Sequence, residues 1–320
     1  MVAAKAGSFW QSLFGSRRAE PPPTYHSKFG GLWIDRSDWR EELRRRRLSP
    51  EKAALATRFA ETGYVILPQA CDLAAIDAFQ HAVAKAFREG NSSVLYQKHR
   101  SSETLPLTGP VDRLGTRIVD AYGALPQSLD LFTTPALMDF LKLIFDENPL
   151  LFQSLSFDQG SQQGLHQDTA YVVVKPPLEL AACWIALEDV QEGSGELMYA
   201  PGSHRLPDWP FQPDRKHWEP TTDRPESHKE WSASLVAYAN GPGGLQTFLP
   251  KKGDILVWHA DLAHGGSPVK RPELTRQSLV GHFCPQSAEP LYFTYGRTAV
   301  RHYGDLAYSS GHFDLNAVAP

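Results

Sequence analysis

An antiparallel β-sandwich or barrel backed by helices is the fold class this sequence predicts. From Leu150 onward the chain breaks into short runs rich in aromatic and β-branched residues, at 150–158, 169–174, 180–187, 195–200, 244–249, 253–259 and 276–284, with Gly and Pro between them. Runs of that length without long intervening helices pair as antiparallel neighbours rather than through parallel crossovers. Between Ser37 and Glu147 the apolar spacing is instead mostly helical. With 320 residues, 42% hydrophobic and 21% charged, the chain can bury one substantial core.

The elements follow in order. Residues 1–24 read as a separate tail, with 25–320 as one domain: helical support over 37–147, β core over 150–285 and an insertion over 204–240. On a helix, Val2, Phe9, Trp10, Leu13 and Phe14 share a face, while Lys5, Gln11, Arg17 and Arg18 lie off it. That pattern suits peripheral membrane or protein contact through residues 1–18, and the Pro21–Pro23 block ends it. Ser49-Pro50-Glu51 caps a first helix that stops at Gly63, and Asp72 opens a second in which Leu73, Ile76, Phe79, Val83 and Phe87 recur, closed by Gly90. A third starts at Thr134-Pro135. Short strands are expected at 64–67 and 116–122. Each helix has one apolar face and needs a sheet to cover. The insertion holds Trp209, Trp218 and Trp231 and, from 204 to 230, five basic and six acidic residues; its length suits a lid or a substrate wall.

Composition excludes several classes. A net charge of -4, from 32 basic and 36 acidic residues, offers no field for a polyanionic backbone, so no nucleic-acid partner is expected. Cys71, Cys183 and Cys284 lack paired spacing, which argues against a disulfide scaffold or Cys-based zinc site and for a reducing compartment such as the cytoplasm. No apolar run reaches the roughly 18 to 20 residues of a membrane span.

The strongest local signal is Gly164-Leu165-His166-Gln167-Asp168-Thr169. On a strand, residues two apart share a face, so His166 and Asp168 could reach one metal. A later segment, Gly253 to Gly266, carries His264, 96 residues after Asp168, and Arg276 follows 12 residues on, one turn and strand away. Two imidazoles and one carboxylate on one face of an iron leave positions for a bidentate keto acid and dioxygen. A guanidinium one strand away can clamp the far carboxylate of that acid. A second pattern, His259-Ala260-Asp261, competes; its next histidine would be His282, 21 residues on, followed by Arg297. That set is cramped and leaves His166 unused. His204, after Pro201-Gly202-Ser203, reads as a turn-stabilising residue. By period two, His282 shares a strand face with Arg276 and Ser278 and lines the pocket without binding metal.

At these residues the chain resembles the phytanoyl-CoA dioxygenase family over roughly 55–285: His166-Gln167-Asp168, Ala182 to Val190, Gly193 to Leu197 into Pro201-Gly202-Ser203-His204, and Lys252-Gly253-Asp254 through His264-Gly265 to Arg276. The resemblance implies a double-stranded β-helix (jelly roll, cupin-like) core that is mainly β with flanking helices. It also implies an Fe(II)- and 2-oxoglutarate-dependent dioxygenase that uses O2, hydroxylates a small-molecule or lipid-like substrate and releases succinate and CO2. It implies His166, Asp168 and His264 as iron ligands and Arg276, with Ser278, as the anchor of the distal 2-oxoglutarate carboxylate. Gln153, Gln167, Trp184 and Arg117 are the further cofactor contacts it implies. Halogenating relatives lack the carboxylate ligand, so Asp168 points to hydroxylation. The tail, the insertion and the C-terminal end lie outside the resemblance, and no acyl-CoA substrate follows from the family name. Tyr171, Phe211, Trp218 and Trp231 suggest an apolar or stacking wall, and Tyr303 to Pro320 a lid or dimer contact. The rival readings are a cupin-like metal protein of non-oxidative chemistry, which has no use for Arg276, and a catalytically silent interaction protein.

Overall fold

The computed structural model describes residues 24–99, 101–241, 244–291 and 299–316. The expected amphipathic stretch 1–18 and Arg297 lie outside these.

Helical support comes first in the chain. Helix α1 spans Trp39–Arg45 and α2 spans Pro50–Thr62. The Ser49 side chain accepts from the Lys52 amide at 3.3 Å, and Gly63 closes α2 at a φ of 80°, a conformation that favours glycine. Strand β1, Tyr64–Leu67, leads to α3, Leu73–Glu89, where Asp72 accepts from the Ala74 amide. Then come β2 (Asn91–Lys98), β3 (Leu105–Leu107), β4 (Thr116–Val119), α4 (Gln127–Phe132) and α5 (Pro135–Phe145). The β-rich part runs β5 (Pro149–Phe157), β6 (Val174–Lys175), β7 (Ala181–Ala186), β8 (Leu197–Tyr199), α6 (Pro225–Ala239) and β9 (Gln246–Phe248). It continues through β10 (Ile255–His259), β11 (His264–Gly266), β12 (Ser278–Pro285), β13 (Glu289–Pro290), β14 (Arg301–Tyr303) and β15 (Leu306–Tyr308).

The main sheet is ordered β1-β10-β7-β12-β5-β4-β2-β3, and these neighbours are all antiparallel. A second sheet, β11-β8-β9, faces it. Alternation along the strands divides the apolar residues between two layers. Cys183, Ile185, Val257, Leu279 and Phe283 pack on Phe59, Phe79, Phe132 and Phe140 of the helices. Ala182, Trp184, Leu256, Trp258 and Val280 face the other way, toward Leu197, Tyr199 and Phe248 of the small sheet. All six residues of β7 are therefore buried, which is why its sequence runs continuously apolar instead of alternating. Burying a large side chain of this kind contributes about 1.5 to 3 kcal/mol. The result is a double-stranded β-helix with helices against the outer face of its larger sheet.

Two expectations are corrected. The run 169–174 is not a strand: Asp168–Ala170 forms a single 3-10 turn, and extended pairing resumes only at β6. The C-terminal segment is no free lid, because β15 joins the main sheet in parallel with β5, through Ala307↔Leu150 and Tyr308↔Leu151. The insertion contains α6, which buries Trp231, Leu235 and Ala239. Cys71, Cys183 and Cys284 are buried free thiols. Among the described residues no helix is long and apolar enough to cross a membrane.

Candidate metal centre

His166, Asp168 and His264 line a cavity of about 500 Å³ between the two sheets, and each offers one ligand atom within 4.8 Å of the others. The backbone brings them together. His166 and His264 exchange both amide-to-carbonyl hydrogen bonds, each 2.9 Å, in an isolated antiparallel bridge. Their ring centroids lie 4.4 Å apart. Gly265 permits this approach, since a Cβ there would stand 2.7 Å from the Gln163 carbonyl oxygen. Asp168 is delivered by the 3-10 turn and not by strand periodicity, which corrects the geometry expected of the His-x-Asp pair.

Hydrogen bonding sets the ligand atoms. Each Nδ1 lies 2.9 Å from a carbonyl oxygen, that of Gly164 for His166 and that of Leu262 for His264. A carbonyl can only accept, so both Nδ1 atoms carry the proton and both Nε2 atoms present lone pairs. The Trp258 indole donates to Asp168 Oδ2 at 2.8 Å. Asp168 Oδ1 is left 3.5 Å from His264 Nε2 and 3.8 Å from His166 Nε2. Burial first, then the neighbouring His264, pulls the His166 pKa down to about 4, which keeps the ring neutral and ready to ligate at neutral pH. Burial alone would raise Asp168, but His264, His282 and His166 outweigh it and hold this carboxyl below the usual range. His282 lines the cavity with Nε2 3.6 Å from Asp168 Oδ2, outside the three-residue cluster, as period two along β12 leads one to expect.

The other expected residues separate into two groups. Arg276 is 3% exposed, with its guanidinium carbon 5.3 Å from the Trp184 ring and 5.8 Å from Phe157. It makes no ion pair among the described residues, and burial lowers its pKa to about 10. Arg276 Nε, Ser278 Oγ and Trp184 Nε1 are all buried without a hydrogen-bond partner. Three orphaned donors in one region fit an absent anion. Gln153 and Arg117 also line the cavity. Gln167 does not: its Nε2 donates to the Asp261 carbonyl at 2.8 Å and its Oε1 accepts from the Trp231 indole at 3.2 Å. Lying between two residues that face the metal, it points away, and the expected cofactor contact is corrected to a tie between the metal loop and α6.

The insertion is fastened to the same loop. Lys216, buried, pairs with Asp261 at 2.7 Å and Asp208 at 3.0 Å, and Thr169 donates to the other oxygen of Asp261. The Tyr171 hydroxyl meets His228 Nε2 at 2.7 Å, and the Tyr171 ring centroid stands 5.7 Å from that of His166. Trp231 and Phe211 complete an aromatic wall at this end. Trp258 was not anticipated as a site residue, although alternation along β10 places it on the inner face with Leu256. Lys216 carried no local signal, because its partners are remote in sequence.

Two facing antiparallel sheets with two histidines and an aspartate converging between them define the class of double-stranded β-helix metal proteins. A family model described as phytanoyl-CoA dioxygenase (PhyH) matches residues 59–277. The match covers more than half of the chain, and the protein belongs to that family. The peroxisomal phytanoyl-CoA dioxygenase of Rattus norvegicus is 24% identical over 194 residues, 54% of this chain and 50% of the relative. That of Homo sapiens is 22% identical over the same length and shares. The chain thus spans about half the length of the curated relatives it matches. Among solved structures, the epimerase SnoN in complex with Fe3+, alpha ketoglutarate and nogalamycin RO superposes with a TM-score of 0.57 at 18% identity, covering 78% of this chain and 92% of SnoN. EctD from S. alaskensis with 2-oxoglutarate and 5-hydroxyectoine gives 0.52 at 18% identity, covering 75% and 77%.

Proposed function

We propose that the protein is an iron(II)- and 2-oxoglutarate-dependent dioxygenase that hydroxylates an unactivated C–H bond of a small-molecule or lipid-like substrate. The observation that carries this reading is the pairing of two features in one cavity: three converging ligand atoms and, apart from them, a buried guanidinium with no anion. A metal protein of non-oxidative chemistry would leave Arg276 uncompensated, at a cost of several kcal/mol. Family membership supports the reading, and so does the iron and keto acid found in fold neighbours.

With iron(II) and 2-oxoglutarate bound, the centre would supply oxidative decarboxylation: one atom of O2 enters succinate as CO2 leaves, and the other enters the substrate as hydroxyl. The chain's own residues do the positioning. The Nδ1 protons of His166 and His264, fixed on backbone carbonyls, aim both Nε2 atoms inward. Trp258 holds one oxygen of Asp168 so that the other faces the histidines. Arg276, near the rings of Trp184 and Phe157, would offer its guanidinium to the far carboxylate, with Ser278 as a second donor. Leu155, Trp184 and Val280 give the cavity an apolar lining.

Anaerobic addition of iron(II) and 2-oxoglutarate to the metal-free protein tests this. The expected result is the weak visible charge-transfer band of the chelate, lost in His166→Ala and in His264→Ala. No band in the wild type, or a band that persists in both variants, overturns the assignment. Arg276→Leu is expected to keep iron binding and weaken 2-oxoglutarate by about tenfold to a hundredfold.

A further inference from the structure

Three histidines surround the Asp168 carboxylate, with Nε2 of His166, His264 and His282 at 3.8, 3.5 and 3.6 Å. Two of them are ligands, and what separates the third is the nitrogen that carries its proton. The Nδ1 atoms of His166 and His264 lie on carbonyl oxygens, which leaves their Nε2 atoms bare. His282 Nδ1 is buried with no hydrogen-bond partner among the described residues, while its Nε2 faces Asp168 Oδ2. A proton on Nδ1 would bury an unanswered N–H and turn a ring lone pair on a carboxylate. A proton on Nε2 leaves only a ring lone pair unpaired and aims the N–H at an acceptor. His282 is therefore the opposite tautomer from its neighbours, a donor and not a ligand.

The strands put that donor where it is. His282 pairs with Gln153 of β5 and with Ala182 of β7, and Ala182 pairs with Trp258 of β10. One row across the sheet thus brings His282 and Trp258 to the metal end. Immediately beyond, Phe283 pairs with Leu151, so that Phe152 is one extra residue on β5. A bulge of this kind re-aims side chains beside a site. The rings of Phe152 and Trp258 each stand 6.5 Å from that of His282, centroid to centroid, and the imidazole is buried among them.

Asp168 Oδ2 already accepts from the Trp258 indole at 2.8 Å. A carboxylate can bind a cation through one oxygen or through both. Two donors on Oδ2 favour the first mode, since a metal bond to that oxygen would have to displace them. Oδ1 alone then joins the two imidazoles, and the cation keeps a position that a two-oxygen aspartate would fill.

We propose that His282 is a positioning residue: when Asp168 takes a cation, His282 closes its 3.6 Å gap, donates from Nε2 to Oδ2 beside Trp258, and keeps Asp168 a one-oxygen ligand. This rests on the metal assignment within the reading above and not on the cosubstrate.

The test titrates cobalt(II), whose visible bands follow coordination number, into the metal-free full chain. His282→Gln keeps an N–H near the place of Nε2, His282→Asn draws it back toward the backbone, and His282→Leu removes it. Wild type and His282→Gln are expected to share one cobalt(II) spectrum and to differ in affinity by less than about threefold. His282→Asn and His282→Leu should bind cobalt(II) about tenfold more weakly or worse, with weaker visible bands as a second carboxylate oxygen joins the ion. The proposal falls if the His282→Leu spectrum matches that of the wild type, or if the His282→Gln spectrum matches that of His282→Leu, which would make the filling of space the whole role of the ring. A Leu variant that does not fold leaves Gln against Asn to decide, and equal spectra for those two overturn it. A wild type that binds no cobalt(II) overturns it together with the metal assignment. Cobalt(II) binding without an iron(II)·2-oxoglutarate band removes the cosubstrate reading alone, and the variants still decide the part of His282.

Discussion

His166-Gln167-Asp168 and His259-Ala260-Asp261 have the same pattern and the same degree of burial, and they have opposite fates. In the first, backbone carbonyls take both Nδ1 protons of the histidine pair, and the Nε2 atoms and one aspartate oxygen converge on open space. In the second, no ligand atom is left over. His259 Nε2 lies 3.1 Å from Asp35 Oδ2, and its Nδ1 accepts from the Asp261 amide at 3.1 Å. Asp261 is filled by Thr169 on one oxygen and Lys216 on the other. A His-x-Asp pair becomes a metal centre where the neighbours hold the histidine by the nitrogen that faces away. Where they satisfy both nitrogens, it becomes a polar core. The two are linked, because Thr169 and Gln167 of the first loop both bond Asp261.

Substitution should pull the two sites apart. His264→Ala should lower iron affinity by more than about a hundredfold with little change in thermal midpoint, read by metal content after gel filtration and by calorimetry. Asp261→Asn should do the reverse. It leaves Lys216 buried with Asp208 as its one remaining carboxylate, costing about 1 to 3 kcal/mol in denaturant unfolding while iron stoichiometry holds. If iron is lost before stability is, the second site is more than a support. Trp258→Phe removes the indole donor to Asp168 together with part of a buried ring that packs on His264; iron affinity should fall about tenfold to a hundredfold, with a smaller loss of stability from the lost ring volume.

The smallest effect is with pH. His204, packed on His259 with ring centroids 5.2 Å apart, is lowered from 6.5 to about 3 by burial and then by His259. The unfolded chain takes up this proton below about 6.5 and the folded chain does not until about 3, so stability contributed by His204 falls as pH drops through that window. About 1 to 2 kcal/mol should be lost between pH 6.5 and 5, and His204→Gln should flatten that slope in urea titrations. An unchanged slope would place the titration elsewhere.

Much of this was legible in the chain. The three capped helices and the strands 149–157, 181–186, 255–259 and 278–285 announce themselves by period and by Gly and Pro boundaries. The metal set was legible because its three side chains and Arg276 occur in an order that few other arrangements share. What escaped did so for physical reasons. Strand β2 opens on three polar residues, Asn91 to Ser93, with Ser92 and Ser93 exposed, because it lies near the sheet edge. Helix α6 shows its buried face through Trp231, Leu235 and Ala239, four apart, but these follow a charged first turn, Glu226 to Glu230, and alternate with small and apolar residues that blur the face. The Asp168 turn could not be told from a strand, since two residues are too few for a period. Gln167 was misplaced where resemblance was preferred to alternation, which already turned it away from the metal.

The buried Lys216 contact seats the insertion before α6 begins. Trp218 adds one backbone tether to Ala170 at 3.0 Å, and beyond these points residues 219–240 reach the metal loop mainly through side chains of α6. Changes to the exposed side of that stretch that keep Lys216 and Trp218, and spare Trp231, Leu235 and Ala239, which pack with Leu165, Ala170 and Ala263 beside the metal residues, would reshape the wall over an unaltered centre. Diversification of what the wall admits would then proceed without renegotiating how the three ligands are held.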